Sequence, residues 1–592
     1  MRLARLSLLM FAAFVVACSP KGERASSPAT TVPAAEAPRP GGALPEPDPA
    51  LTDEKAALAE VDASWPTEQL NGEAGPAKKV LFDALSKKAP LTDASLAVFA
   101  PAFRGEDLAA REATALGEPS GISLGAWKQR PADLDAAGFV EAFNRYLAEF
   151  ERVTAFEQHT WELQIAEGLP EDQVGLEAVE AIWVVGRTPD GGEREDRFSL
   201  VLDLRKPKDA EGTEWKLAGV RTEEGRTARA PRAYFVDITD AALPGGYDQI
   251  GASIYTDGGP TLADFDGDGD VDLFLPRQHA PARLYANDGS GHFDDVTLDW
   301  ALETQELGQG TNSAVFFDYD NDGRLDLVVG RKEQGARLFH NEGGYFEDVT
   351  GAFDLLGPGQ WQTLAVADYD GDGYPDIYAA NYNLIDTKHQ PASYVDARDG
   401  LPNVLLRNLE GTGRFAAVTE AAGLDAGNDR WSYVAAWADY DVDGDMDLYV
   451  ANDYGPSQLY RNGGDGTFEE VSDAVGAQDA GNGMGASWLD YDNDGLLDLY
   501  KSNMQSFAGN RITRLRHFPG TDEQRAIYRR FSQGNTLLRN MGDGSFQDVT
   551  DEAGVRAGFF AWGNLGFDYD SDGDMDIFNN AGFYTGSSTA DT

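Results

Sequence analysis

A chain of 592 residues with a formal net charge of −52 is long enough for two or three domains, and it is too acidic for nucleic acid, whose binding demands a basic surface. Its single cysteine, Cys18, excludes an intramolecular disulfide. Aspartate-rich motifs in the C-terminal part supply much of the acidity, and the remainder indicates a solvated acidic surface.

The first 18 residues have the layout of a signal peptide. Arg2 and Arg5 give a basic start, and the apolar stretch 6–17 is too short to span a membrane permanently. The sequence Val-Val-Ala-Cys ending at Cys18 resembles the lipobox of bacterial lipoproteins, in which the cysteine is lipidated. This resemblance implies a lipid anchor at Cys18, and Ser19 after it favours the outer membrane of a Gram-negative bacterium. The alternative is an ordinary cleaved signal with an incidental cysteine.

Two regions separate this segment from the motifs. Residues 19–50 are rich in Pro, Ala, Ser and Gly and predict a disordered or polyproline-like linker. Residues 51–230 predict a small α+β domain with helices on an antiparallel sheet. Helices are expected at 51–63 and 77–88, with a further helix whose aromatic face forms core: Phe139, Phe143, Tyr146, Leu147 and Phe150. Strands are expected at 156–165, 176–185, 198–204 and 214–220, with a hairpin turn at 189–192.

Residues 231–592 repeat the nine-residue pattern Asp-x-Asp-x-Asp-Gly-x-x-Asp six times. We number these loops 1 to 6; they begin at Asp264, Asp318, Asp368, Asp439, Asp490 and Asp568. Positions 1, 3, 5 and 9 are always Asp, position 6 is always Gly, and position 7 varies. A tight loop with this spacing supplies oxygen ligands to Ca²⁺, and position 7 would use only its backbone carbonyl.

The predicted metal positions follow from this pattern. They are Asp264, Asp266, Asp268, Asp270 and Asp272; Asp318, Asp320, Asp322, Arg324 and Asp326; Asp368, Asp370, Asp372, Tyr374 and Asp376; Asp439, Asp441, Asp443, Asp445 and Asp447; Asp490, Asp492, Asp494, Leu496 and Asp498; and Asp568, Asp570, Asp572, Asp574 and Asp576. Without a cation, so many like charges would oppose folding of each loop. Plain Asp-Gly turns are the alternative. An EF-hand is excluded because no loop has Glu at position 12.

A second signature follows each of the first five loops. Leu-x-x-Asn ends at Asn287, Asn341, Asn408, Asn462 and Asn540, and Phe-x-Asp-Val-Thr or a close variant comes next. Short strands and turns repeating at roughly 50 residues, with longer intervals in two places, are typical of β-propeller blades. The prediction is therefore a mainly β protein with a propeller of six or seven blades. A further copy at 235–239, before loop 1, is expected to complete the final blade and close the ring.

These paired signatures resemble the FG-GAP/VCBS repeats of integrin α-subunits and, more closely, of the cartilage acidic protein family and its bacterial relatives. The resemblance implies a propeller with about six structural calcium ions, on a cell-surface or extracellular protein that serves adhesion or ligand binding. Its partner would be a protein or glycan, together with the membrane through the lipid anchor.

Two alternatives stay open at this point. An extracytoplasmic enzyme acting on a glycan or phosphoester is weighed against the binding protein, although no nucleophile elbow, phosphate loop or histidine pair at metal spacing is present. Polar residues after the post-loop strands predict turn capping rather than catalysis: Asn381, Tyr382, Asn452, Asp453 and Asn503. A basic segment at 510–531 predicts either ion pairs with the chain's own acidic body or docking of an anionic partner.

Overall fold

A computed structural model describes residues 66–581, apart from 110–112, 118–121, 129–132, 209–214, 233–234, 236–237, 244–258, 278–279, 303–306, 308–309, 353–355, 358, 384–390, 514–520 and 559. Cys18, the linker and the helix expected at 51–63 lie outside the described residues, as do Arg514, Arg516 and His517 of the basic segment. One large N-terminal sheet is followed by a series of small antiparallel sheets, so the predicted mainly β fold class is confirmed. Within the described residues, no helix combines the length and apolar character needed to cross a bilayer.

The N-terminal sheet has seven strands. They are β1 Phe99–Gly105, β2 Ala113–Gly117, β3 Ser123–Trp127, β4 Arg152–Ile165, β5 Gln173–Arg187, β6 Glu193–Pro207 and β7 Lys216–Ala230. The spatial order is β2-β3-β7-β6-β5-β4, all antiparallel, with β1 parallel to part of β7. Helices α1 (Pro66–Lys87) and α2 (Ala136–Ala148) and a 3-10 helix (Asp93–Val98) accompany it.

The core of this part lies between the helices and one face of the sheet. Helix α2 begins after Asp135, whose carboxylate accepts the backbone N–H of Gly138 at 2.9 Å. The aromatic face predicted at 139–150 is fully buried, and so are alternate residues of β6. Strands β5 and β6 pair along their whole lengths, from Gln173↔Pro207 to Arg187↔Glu193. Both strands extend beyond the ranges 176–185 and 198–204 predicted from their apolar residues, because the charged residues at their ends continue the backbone pairing.

Among the described residues, the small sheets of the C-terminal part are five four-stranded units and one two-stranded unit. Their strands are β8 Thr261–Ala263, β9 Asp272–Leu275, β10 Arg283–Asn287 and β11 Phe293–Asp295; β12 Thr311–Phe317, β13 Asp326–Arg331, β14 Gly335–Asn341 and β15 Phe346–Asp348; β16 Trp361–Ala367, β17 Asp376–Asn381, β18 Val404–Asn408 and β19 Phe415–Ala417; β20 Trp431–Ala438, β21 Asp447–Asp453, β22 Gln458–Asn462 and β23 Phe468–Glu470; β24 Gly483–Leu489, β25 Asp498–Asn503, β26 Thr536–Asn540 and β27 Phe546–Asp548; and β28 Ala561–Phe567 with β29 Asp576–Ala581. We call these units blades 1 to 6.

Short helices follow the outer strands or interrupt the blades. They are α3 Thr239–Ala242, α4 Ser472–Val475, α5 Phe507–Thr513, α6 Asp522–Ser532 and α7 Thr550–Ala553, with a 3-10 turn at Thr350–Ala352. Helices α5 and α6 form an insertion between the second and third strands of blade 5.

The blades are arranged like those of a propeller. Within each blade, chain order and spatial order agree, and the first strand of one blade packs on the first strand of the next from β8 through β28. Blades 5 and 6 approach closely, because a Cβ on Gly485 would lie 2.9 Å from the Cα of Gly563. Each metal loop joins the first two strands of its blade, so all six lie at the same end of the blades.

The segment around Phe235 lies between the last blade and the first. In the regular blades, the aromatic residue at loop position 2 contacts the Phe of the next blade's outer strand, as in Tyr369–Phe468 with ring centroids 5.7 Å apart. Tyr569 of loop 6 makes this contact with Phe235 at 5.5 Å, and Leu243 packs with Leu273 of blade 1. Phe235 thus makes with loop 6 the contact that an outer-strand Phe makes with the loop of the preceding blade. Completion of the final blade by this segment, and a count of six or seven blades, stay predictions.

The N-terminal sheet contacts the propeller through the insertion in blade 5. Helix α5 packs on β4, and the ring of Phe507 stacks on His159 with centroids 4.1 Å apart and planes at 11°. Trp161 meets the same phenylalanine edge-on at 5.8 Å. The insertion therefore serves as a docking element within the chain.

Candidate metal centre

Each loop is closed by its first aspartate. In loops 2 to 6 the position 1 carboxylate accepts the backbone N–H groups of positions 5 and 6, as Asp318 does from Asp322 at 3.0 Å and Gly323 at 2.9 Å. In loop 1 Asp264 accepts from positions 4 and 6 instead. The position 5 carboxylate accepts the backbone N–H of position 7 in all six loops. These bonds orient the carboxylates before any ion binds.

Two positions in every loop have left-handed backbone. Position 6 is the glycine predicted from the sequence, with φ between 87° and 98°. Position 4 has φ between 58° and 77° and was not identified as special. Five of its six residues tolerate this conformation reasonably (Gly267, Asn321, Gly371, Asn493 and Ser571), whereas the sixth is the β-branched Val442 at φ 60°.

The aspartate at position 9 is the first residue of the second strand, and its carboxylate is held by the backbone on both sides. Asp326 is buried; one oxygen accepts the backbone N–H of Tyr319 at 3.1 Å, and the other accepts that of Asn341 at 2.8 Å. Blades 1, 3, 4 and 5 repeat both bonds. The backbone thus fixes this carboxylate from its own loop and from the third strand.

The asparagine of the Leu-x-x-Asn signature links neighbouring blades. The side-chain amide of Asn462 donates to the carbonyl of Met446 in its own loop at 3.1 Å and to that of Tyr369 in the preceding loop at 2.8 Å. The same two hydrogen bonds, one to the residue's own loop and one to the preceding loop, are made by Asn341, Asn408 and Asn540. This role was missed from the sequence, because it depends on which blades are adjacent in space.

The structure brings the predicted carboxylates together. In loops 1 to 4 oxygens of positions 1, 3 and 9 lie within 4.8 Å of one another, and Asp320 and Asp322 form a further group with His340. The predicted role of position 7 as a carbonyl ligand stays a prediction. Its side chains do other things: the Arg324 guanidinium contacts Asp322 and donates to the carbonyl of Asn341, while Asp270 and Asp445 lie beside Gly289 and Gly464.

The donor set fits a hard divalent cation. At position 3 one carboxylate oxygen is buried without a hydrogen-bond partner in each of loops 3 to 6, at Asp370, Asp441, Asp492 and Asp570. Leaving a buried charged oxygen unpaired is costly, whereas an ion bound there would pair it. Burial, with neighbouring carboxylates adding to it, raises the pKa of the position 9 aspartates, for example to about 9 for Asp376 and about 8 for Asp447. A bound cation would reverse that effect.

The residue before the signature asparagine differs between blades, and in blades 2, 3 and 5 it contacts loop carboxylates. It is Ala286, His340, Arg407, Arg461 and Arg539 in blades 1 to 5. Arg407 pairs with Asp370 at 2.6 Å and with Asp372 at 3.2 Å, and Arg539 pairs with Asp492 at 2.7 Å. Because guanidinium groups only donate, these arginines balance loop charge but cannot bind a cation.

The polar residues after the post-loop strands mostly cap backbone, as the sequence indicated. The Asn381 amide donates to the carbonyl of Pro402, that of Asn452 donates to Pro456, and that of Asn503 donates to Gly534. Tyr382 donates its hydroxyl to Asp453 at 2.6 Å. In the basic segment, Arg530 pairs with the buried Asp479 at 2.7 Å, as expected under the internal ion-pair alternative for that segment.

Comparisons with known proteins agree with this architecture. The family described as FG-GAP-like repeat matches residues 264–329, 318–379 and 439–500. Cartilage acidic protein 1 of Xenopus tropicalis is 24% identical over 303 residues, which cover 47% of this chain and 44% of that protein. The same protein of Homo sapiens is 24% identical over 294 residues, covering 45% of this chain and 42% of that protein.

A solved structure, "Crystal structure of BBS1N in complex with ARL6DN, soaked with lead", aligns with 58% of this chain and 89% of its own at 10% identity. Its TM-score of 0.22 is too low to support an argument. The chain therefore carries FG-GAP-like repeats in a propeller-like β fold, and its match spans less than half the length of these curated relatives.

Proposed function

We propose that this protein is a calcium-stabilised, non-catalytic propeller that binds a protein or glycan at the cell surface. The observation that supports this most directly is the repeated loop, in which backbone bonds orient buried carboxylates and leave an oxygen unpaired at position 3. The loop occurs six times, and loops 3 to 6 leave that oxygen unpaired, which favours an ion-binding role over a plain turn.

Calcium fits this donor set better than softer metals. Positions 1, 3, 5 and 9 offer only carboxylate oxygens, and Ca²⁺ takes six to eight oxygens in flexible geometry. We expect dissociation constants of roughly 10⁻⁴–10⁻³ M, as for extracellular calcium modules. The ion would supply charge neutralisation and a rigid link between the two innermost strands of each blade.

The position of the loops makes the proposed role structural. Position 9 begins the second strand, and position 2 of the same loop accepts the signature asparagine of the next blade, as Tyr369 accepts from Asn462. An ion that fixes one loop therefore also fixes the contact with the following blade. Binding and folding are coupled in such a site.

Binding rather than catalysis is proposed for the propeller because the polar groups after the post-loop strands are engaged with backbone. We further propose that lipidation at Cys18 holds the protein outside the cytoplasm, at the outer membrane. Replacing Cys18 with Ser should release the protein from membranes and prevent labelling by a fatty-acid analogue. Unchanged membrane association of Cys18→Ser would reject the anchor without affecting the calcium proposal.

A pull-down with the mature chain tests the binding function. Purified protein, with Cys18 replaced to keep it soluble, is presented to a glycan array and to surface proteins, once in about 2 mM Ca²⁺ (twenty times the lower expected Kd) and once in EDTA. Specific, saturable retention that is lost in EDTA supports the proposal. Turnover of a glycan or phosphoester by the same protein would instead favour an enzyme.

A further inference from the structure

Among the five blades whose third strand is described, one loop has a different kind of neighbour. In blade 2 the residue before the signature asparagine is His340, whereas blade 1 has alanine and blades 3 to 5 have arginine there. The pairing Leu327↔Phe339 between β13 and β14 sets the next residue, His340, beside loop 2. An imidazole can coordinate a metal, which neither alanine nor arginine can do.

The His340 ring lies among the carboxylates of the loop. Its Nδ1 is 2.9 Å from an oxygen of Asp326 and 3.7 Å from one of Asp320, and its Nε2 is 3.9 Å from Asp322 and 3.8 Å from Glu342. Its side chain is 14% exposed, and its ring meets that of Tyr319 edge-on at 5.6 Å. Packing therefore holds the ring in the site.

These distances suit a shared ion. Two ligands that each lie about 2.0–2.2 Å from Zn²⁺ cannot be more than about 4.4 Å apart. Nδ1 satisfies this limit with both Asp326 and Asp320, and Asp318 belongs to the same carboxylate group. The set is then one nitrogen and several oxygens, whereas the neighbouring loops offer oxygens alone.

We propose that loop 2 is a mixed imidazole–carboxylate site that binds a borderline divalent cation, Zn²⁺ or a close analogue, through His340, Asp320 and Asp326. Imidazole nitrogen favours Zn²⁺ over Ca²⁺, and carboxylate oxygens accept both. The chain would hold two kinds of ion in otherwise equivalent loops. The inference goes beyond the calcium role of the other loops and does not require them to bind calcium.

The test is a Zn²⁺ titration of the mature chain in millimolar Ca²⁺, against a chromophoric chelator. The wild-type protein is expected to bind one Zn²⁺ ion much more tightly than any further Zn²⁺ ion added in the titration. His340→Ala and His340→Gln should weaken that binding by about 100-fold or more. X-ray absorption of the protein with one Zn²⁺ should show imidazole scattering that both variants lose.

Two matched controls come from the chain itself. Arg407→Ala changes the equivalent residue of blade 3 and should leave tight Zn²⁺ binding unchanged. His292→Ala removes another imidazole near a carboxylate, Asp288 at 3.8 Å, and should also have no effect. The melting temperature in Ca²⁺ shows whether each variant is folded.

Three results would overturn the proposal. These are Zn²⁺ binding that survives both His340 variants, Zn²⁺ that competes no better than Ca²⁺, and tight binding without imidazole scattering, which would leave His340 as a hydrogen-bond partner of Asp326. Calcium-dependent melting of the His340 variants is scored separately, so failure of the zinc site and failure of the calcium role are distinguishable.

Discussion

Residues in these loops are subject to two constraints, repulsion between neighbouring carboxylates and a left-handed backbone at two positions. The carboxylates repel one another, yet backbone N–H groups direct them toward a common point, as at Asp318 and Asp326. The backbone must also take left-handed conformations at positions 4 and 6. Where the residue type is poorly suited to one of these constraints, replacing it with a better suited residue should increase stability.

Val442 is such a residue. It is 66% exposed and has φ 60° at position 4 of loop 4. A β-branched residue is strained there by about 1 kcal/mol relative to Asn, the residue found in loops 2 and 5. Val442→Asn should therefore raise the free energy of unfolding in saturating Ca²⁺ by about 1 kcal/mol, measured by denaturant titration. Val271→Asn, at exposed position 8 of loop 1, is the control and should change little; a Val442→Asn protein no more stable than wild type would contradict the strain.

Asp453 gives a pH-dependent prediction away from the metal loops. Burial raises its pKa to about 7, and its carboxylate accepts bonds from the Tyr382 hydroxyl and the Tyr454 backbone. Because the folded pKa lies above the ordinary value of 3.8, this group's contribution to stability is present at low pH and is lost as pH rises from about 4 to 7.

Asp453→Asn removes that titration. The difference in unfolding free energy, variant minus wild type, should become more positive between pH 5 and about 8 in saturating Ca²⁺. Thermal melts of both proteins across this range measure it. A difference that is flat with pH would mean that Asp453 does not titrate in this interval.

At the level of strands and blades, the signature asparagine is the repeated connection. It joins the third strand of one blade to its own loop and to the loop before it, so the proposed calcium site and the packing between blades share a residue. Blade 1 provides an internal comparison. Asn287 donates to Val271 of its own loop at 3.0 Å, and the described residues show no bond from it to a preceding loop.

Asn462→Ala should lower the free energy of unfolding by about 2 kcal/mol, because two buried carbonyls lose their donor. Asn287→Ala should cost less, about 1 kcal/mol or below, since it lacks the connection across blades. Denaturant titrations in Ca²⁺ compare the two directly. Equal losses would show that the bond to the preceding blade contributes nothing measurable.

Much of a single blade could be predicted from the sequence, and little of the contacts between blades. Invariant Asp and Gly at fixed spacing identified the loops, because side-chain ligands and sharp turns restrict residue type. The left-handed backbone at position 4 was not predicted, because its residue type varies: Gly, Asn and Ser all accept this conformation, and Val442 is a residue that normally avoids it. The approach of His340 to loop 2 depends on strand register, and the bond from Asn462 to Tyr369 depends on blade order. Neither contact can be predicted from the spacing of residues along the sequence.

For the whole molecule, the contacts describe successive blades arranged as in a propeller, with the N-terminal sheet docked on the insertion in blade 5. Phe507 of the insertion stacks on His159 of β4, and Phe235 packs on Tyr569 of loop 6. The propeller therefore meets the N-terminal sheet through the blade 5 insertion, while Phe235 connects the segment before blade 1 to blade 6. Successive blades are tied together loop by loop, so loss of the ions should loosen the entire propeller rather than one blade.

The most direct measurement is calcium content together with thermal stability. Protein equilibrated in millimolar Ca²⁺ is analysed by equilibrium dialysis with elemental detection and then melted with and without excess EDTA. We predict several ions per chain, up to one for each loop, and a melting temperature that falls by ten degrees or more, on the order expected when several kcal/mol of binding energy are removed. No bound alkaline-earth ion and an unchanged melting temperature would contradict the account.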